Sequence, residues 1–149
     1  MIHGYIQTYD TGLDARAVHV HNRSALASLP SSGSLLRPEM FHQLPLLHSP
    51  ITRSTQLIAY ASENRWQLYM HQAWIGEFED LLRRLCWTSA TAIETYCGNR
   101  FEWRAENRGE QDPADLFVRG WKRVVYDSYH CAEEVPFGPD GFPNETPHV

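Results

Sequence analysis

With 149 residues, 42 % hydrophobic and 21 % charged, the chain has the balance of a soluble globular domain and enough length to bury a core without disulfides or a structural metal. Its net charge of −5 argues against a general nucleic-acid binder, which needs basic surface to displace phosphate counterions. No apolar run approaches the roughly 20 residues that cross a bilayer, and the opening Met1-Ile2-His3-Gly4 lacks the features of a secretory signal.

In chain order, Ile2 to Tyr9 alternates apolar and polar side chains and reads as a strand, closed by the turn Asp10-Thr11-Gly12. Ala15 to His21 alternates again, which predicts a second strand. A Pro/Ser-rich loop follows over 22–54, with Pro30, Pro38, Pro45 and Pro50 barring any long helix. A short helical turn around Pro38 to Gln43 is compatible with this stretch. Leu35, Leu36, Met40, Phe41 and Leu44 make the loop too apolar for a free linker, so it is expected to pack on the domain or on a partner. Thr55 to Ala61 reads as a third strand.

The strongest helical signal covers about 63–87. Trp66, Met70, Ala73, Trp74, Phe78, Leu81, Leu82 and Leu85 recur at steps of three and four, which predicts a buried stripe. Glu79 and Asp80 on the opposite side stand four residues before Arg83 and Arg84, the favoured order for helical ion pairs. Gly76 suggests close packing of another backbone, or a kink. After Trp87, β-branched residues bring in a strand, and Gly98-Asn99 suits a two-residue hairpin loop. That register sets Tyr96 opposite Phe101, Glu94 opposite Trp103 and Ala92 opposite Ala105, all on one aromatic face.

Asp112-Pro113 has the cap and first-turn pattern of a second helix, expected over about 113–126 on the spacing of Leu116, Phe117, Trp121, Val124 and Val125. Residues 136–149 read as an irregular Pro/Gly-rich tail behind a single domain of 1–135. The expected fold class is therefore α+β: an antiparallel sheet of about four to five strands, packed on one face by the two helices.

Glu94 is the most informative candidate. A carboxylate on an apolar face beside Trp103 must reach solvent, meet a cation such as Arg65 or Arg119, or protonate. Trp103, Trp87, Phe41 and His42 complete the candidate binding set, with Trp87 at a helix-to-strand junction and Phe41 and His42 in the apolar loop. His19 and His21 form an H-x-H pair which, on one strand face, would aim two imidazoles at one metal ion. His42, His48 and His71 are the other histidines of that alternative. His130-Cys131 is poor for thiol activation, because adjacent strand residues point apart.

Cys86, Cys97 and Cys131 match neither C-x-x-C nor a zinc-ribbon spacing and read as reduced thiols, which suggests the cytoplasm. No G-x-G-x-x-G, Walker A, H-E-x-x-H or G-x-S-x-G motif is present, and the residues imply no cofactor. The leading expectation is a non-catalytic protein that recognises a macromolecular partner, namely a protein, for which the acidic balance allows a basic character, in the manner of an inhibitor or immunity protein. The alternatives are a metal-dependent enzyme using converging histidines, and a small-ligand module with a pocket between the 22–54 loop and the sheet.

Overall fold

The computed structural model describes residues 1–8, 15–45, 56–63, 70–95, 98–105, 121–126 and 133–136. They form an α+β fold built on one seven-stranded antiparallel sheet: β1 (Ile2–Thr8), β2 (Phe41–Gln43), β3 (Gln56–Ser62), β4 (Ser89–Glu94), β5 (Arg100–Ala105), β6 (Trp121–Tyr126) and β7 (Glu133–Pro136). The strand order is β2-β3-β1-β4-β5-β6-β7. Among the described residues two α-helices accompany it, α1 (Ala15–Ala27) and α2 (Met70–Arg84), with a 3-10 turn at Pro38–Met40.

β1 pairs antiparallel with both β3 and β4, so β3 and β4 run parallel to each other on either side of it. Parallel strands need a crossover connection, and α2 supplies it. Trp74, Phe78, Leu81 and Leu82 form its buried stripe, as the periodicity predicts, with Leu85 buried just past its end and Ala73 exposed instead. Phe78 is the hub, with ring centroids 4.8 Å from Trp74, 5.1 Å from Tyr60 on β3 and 4.9 Å from Trp103 on β5. Ile2, Ile6, Ile58, Ala90, Ala92 and Phe101 complete this side of the sheet.

Between β3 and β4 the Tyr60 hydroxyl donates to the Thr91 carbonyl at 2.7 Å. It crosses β1 at Gly4, where a Cβ would lie 1.8 Å from Thr91 O and 2.7 Å from the Tyr60 oxygen. Only glycine leaves room for that bridge.

Several expectations are corrected. Ala15 to His21 is the start of α1, not a strand, because Val18, Asn22 and Leu26 carry an i, i+4, i+8 buried stripe. α1 therefore also takes the first residues assigned to the 22–54 loop, which goes on to contain the 3-10 turn and β2. The second helix fails over its last turns: Trp121 to Tyr126 are β6, paired with β5, while 106–120 lie outside the described residues. The sheet is wider than four to five strands because β2, β6 and β7 join it.

The hairpin register differs by four residues, with Ala90 opposite Trp103 and Ala92 opposite Phe101. An even shift keeps every side chain on its face, so Phe101 and Trp103 still point into the core. The turn is longer than two residues. Glu94 N–H donates to Asn99 O at 2.8 Å, Gly98 N–H donates to Glu94 O at 3.0 Å, and Gly98 takes φ 72°.

On α2, Glu79 is buried rather than solvent-facing, Asp80 pairs with Arg83, and Arg84 reaches Ser28 and the Ala25 carbonyl on α1. Gly76 is exposed and has nothing within 4 Å of an added Cβ, so among the described residues no backbone packs there.

Candidate functional site

The residues that join α1 to its neighbours create the candidate site. At the end of α2, Asn22 donates to Cys86 O at 2.9 Å and accepts from Cys86 N–H at 2.8 Å, while Thr8 donates to the same carbonyl and the His21 ring bonds Arg84 O at 2.9 Å. These contacts satisfy carbonyls that a helix C-terminus leaves open. At the sheet edge, Gln43 Nε2 donates to His19 O at 2.9 Å and Gln56 Nε2 donates to Ala15 O at 2.6 Å. The two carboxamides hold one flank of α1 above β2 and β3.

The loop before β2 is held from the other side by Glu77 of α2. Its carboxylate accepts from the Leu35 and Leu36 amides at 2.9 and 3.1 Å and from the Ser34 hydroxyl. Leu36 is buried beneath this anchor.

Between α1 and β2 a cleft of about 470 Å³ remains, lined by His19, Arg23 and Leu26 from the helix and Pro38, Phe41 and Gln43 from the loop and strand. Phe41 forms an aromatic wall, its ring 5.6 Å from Tyr60. Among the described residues of the lining Arg23 is the charged one and forms no ion pair with another described residue, and none of them is a carboxylate. His19 Nδ1 and Gln43 Oε1 are buried without a hydrogen-bond partner, a condition that costs about 1–3 kcal/mol per group.

The backbone beside the cleft is also open. Leu44 N–H donates to Leu57 O at 2.9 Å, which makes His42 and Leu44 the paired positions on this side of β3. Antiparallel alternation then turns the N–H and C=O of Gln43 away from β3, off the sheet edge. Among the described residues no strand pairs there.

The residues singled out from sequence scatter. Phe41 lines the cleft; His42, its neighbour on β2, is exposed and points to the opposite face. Trp87 is not free for other duties: it is fully buried, and its indole N–H donates to Leu82 O at 2.8 Å. Trp103 is equally buried and donates to Glu79 Oε1 at 2.8 Å.

Glu94 is buried at the hairpin end, faces Ile2 of β1 and accepts from Asn99 Nδ2 at 3.3 Å. Arg65 and Arg119, the cations proposed for it, lie outside the described residues. Three strand spacings, about 14 Å, separate β4 from β2, so Glu94 and Trp103 do not share the cleft. His19 and His21 sit on a helix, where residues two apart point in divergent directions. His19 faces the cleft and His21 faces the end of α2. Among the described residues no three His, Cys, Asp or Glu side chains gather as a metal site. His48 and His130-Cys131 lie outside them.

The buried acid that matters is Glu79. It accepts from Trp103 and, at 3.1 Å, from Arg123 of β6. Burial pushes its carboxyl pKa up, and the Trp103 hydrogen bond and the Arg123 charge offset part of that rise.

Arg23 and Gln43 are cleft residues that the sequence reading missed. The available signal was the spacing of His19, Arg23 and Leu26 at i, i+4, i+7, one flank of a helix. No protein-family model, curated protein or solved structure matches the chain.

Proposed function

We propose that the chain is a non-catalytic binding protein that recognises a protein partner, with the cleft between α1 and β2 as the contact site. The observation that most supports this is the adjacency of the open Gln43 edge to a cleft walled by Phe41 and Arg23. Such an edge offers main-chain hydrogen bonds, and the neighbouring cleft accepts a side chain, the two parts of peptide recognition by strand addition. The net charge of −5 favours a partner of basic character overall, and the thiol content suits the cytoplasm.

The experiment is site-specific photo-crosslinking in cell extract, with benzoylphenylalanine at Ala27, an exposed member of the cleft lining, or at the exposed Arg104 on the opposite face of the sheet. A protein crosslinked from position 27 and not from 104 is the expected outcome. Crosslinks from 104 alone, or from neither, overturn the reading. The cleft volume, within the roughly 300–1,000 Å³ of small-molecule sites, favours a small-ligand module as the second reading. Under it, a metabolite co-purifies and no protein crosslinks.

A further inference from the structure

We infer that the cleft takes an acidic side chain of the partner, presented by an extended segment laid along β2, with its carboxylate on the Arg23 guanidinium. This names the partner chemistry of the site proposed above and rests on that reading for its location. Three observations converge on it. Arg23 sits in the wall without an ion pair to any described residue, and no carboxylate among the described residues lines the wall to compete for it. A guanidinium presents paired donors that match a carboxylate fork.

The second observation is the backbone. Gln43 turns its N–H and C=O off the edge of the sheet, which offers one antiparallel hydrogen-bonded pair to an incoming chain. Pro38 and Pro45 flank β2 and both line the cleft. Proline cannot donate to a ladder and the Phe41 N–H already donates to Pro38 O, so Gln43 is the position of β2 that offers both groups and the occupant is a short extended stretch rather than a long added strand. Third, Phe41 and Leu26 supply apolar surface beside Arg23, fitted to the stem of a glutamate or to an apolar neighbour. The acidic whole-molecule charge does not conflict with this, because it describes the full surface whereas the charged group among the described lining residues is the Arg23 cation.

The test uses the full chain and a pentapeptide array whose third residue is fixed as Glu, Gln or Lys while the other four positions are randomised. Capture by the Glu pool at least tenfold above the Gln and Lys pools is expected at low salt, with the preference lost in Arg23→Gln. Equal capture by the three pools, or a Glu preference that survives Arg23→Gln, overturns the inference. Circular dichroism and the melting temperature show whether that variant is folded. If it is not, Arg23→Lys replaces it, with the preference reduced because the paired donors are gone.

A second arm titrates ¹⁵N-labelled chain with the best Glu peptide and with phenylacetate. Amide shifts centred on Gln43 and Arg23 with the peptide alone support an extended segment. Equal binding of phenylacetate overturns that source in favour of a small carboxylate. Crosslinking from position 27, with Arg23 intact, to a partner segment lacking acidic residues sinks this inference and leaves the proposed function standing.

Discussion

The Asn22 carboxamide and the Cys86 backbone form a two-way pair, Nδ2 donating to the carbonyl at 2.9 Å and Oδ1 accepting from the amide at 2.8 Å. Both groups are buried, so neither has water as an alternative partner. This pair fixes α1 against the end of α2 and so sets one wall of the cleft. Asn22→Ala removes one partner from each of the two Cys86 backbone groups, while Thr8 still serves the carbonyl. A loss of about 1–3 kcal/mol is expected by urea denaturation, and a loss under about 1 kcal/mol would show that α1 is held by its apolar contacts alone.

Glu79 makes stability depend on pH in an unusual direction. Its pKa is raised in the folded chain, burial being the largest cause, so the native state holds the proton more tightly than the unfolded state. The charged form therefore costs stability at neutral pH, and the cost is relieved as pH falls through the raised folded value toward the unfolded one. The stability of the native chain minus that of Glu79→Gln should rise on acidification from pH 7, by no more than about 1.4 kcal/mol per pH unit. A difference that falls on acidification would mean that Arg123 outweighs burial.

Gly4 exists to let Tyr60 cross. Gly4→Ala forces a Cβ to within 1.8 Å of Thr91 O, a backbone atom, and is expected to cost about 3 kcal/mol or more. Tyr60→Phe removes the hydrogen bond without the clash and should cost only about 1 kcal/mol. Thermal melts of the two variants separate the effects, and similar losses would show that the hydroxyl matters more than the space.

Gly76 lies in α2 with open space around it, so alanine there meets no neighbour. Gly76→Ala should stabilise the chain by about 1 kcal/mol, a rise of roughly 2–4 °C in Tm for a domain of this size. A fall in Tm would reveal a contact that substitution disrupts.

What the sequence determined by itself is local. The buried stripe of α2 and the inward face of β5 follow from repeats of 3.6 and 2 residues, set by backbone geometry within a few positions. The same locality explains the errors. ARAVHVH alternates over seven residues, and only the longer spacing through Asn22 and Leu26 marks it as helix. Likewise Trp121 to Val125 carries a spacing that a helix or a strand can use, and pairing with β5 decides for the strand. Glu79 looks solvent-facing until Trp103 and Arg123, 24 and 44 residues away, meet it across the core. The cleft belongs wholly to tertiary structure: it exists because Gln43, Gln56 and Asn22 hold α1 against parts of the chain 24, 41 and 64 residues distant. No short-range rule encodes such contacts, since their free energy appears only once both partners leave water together.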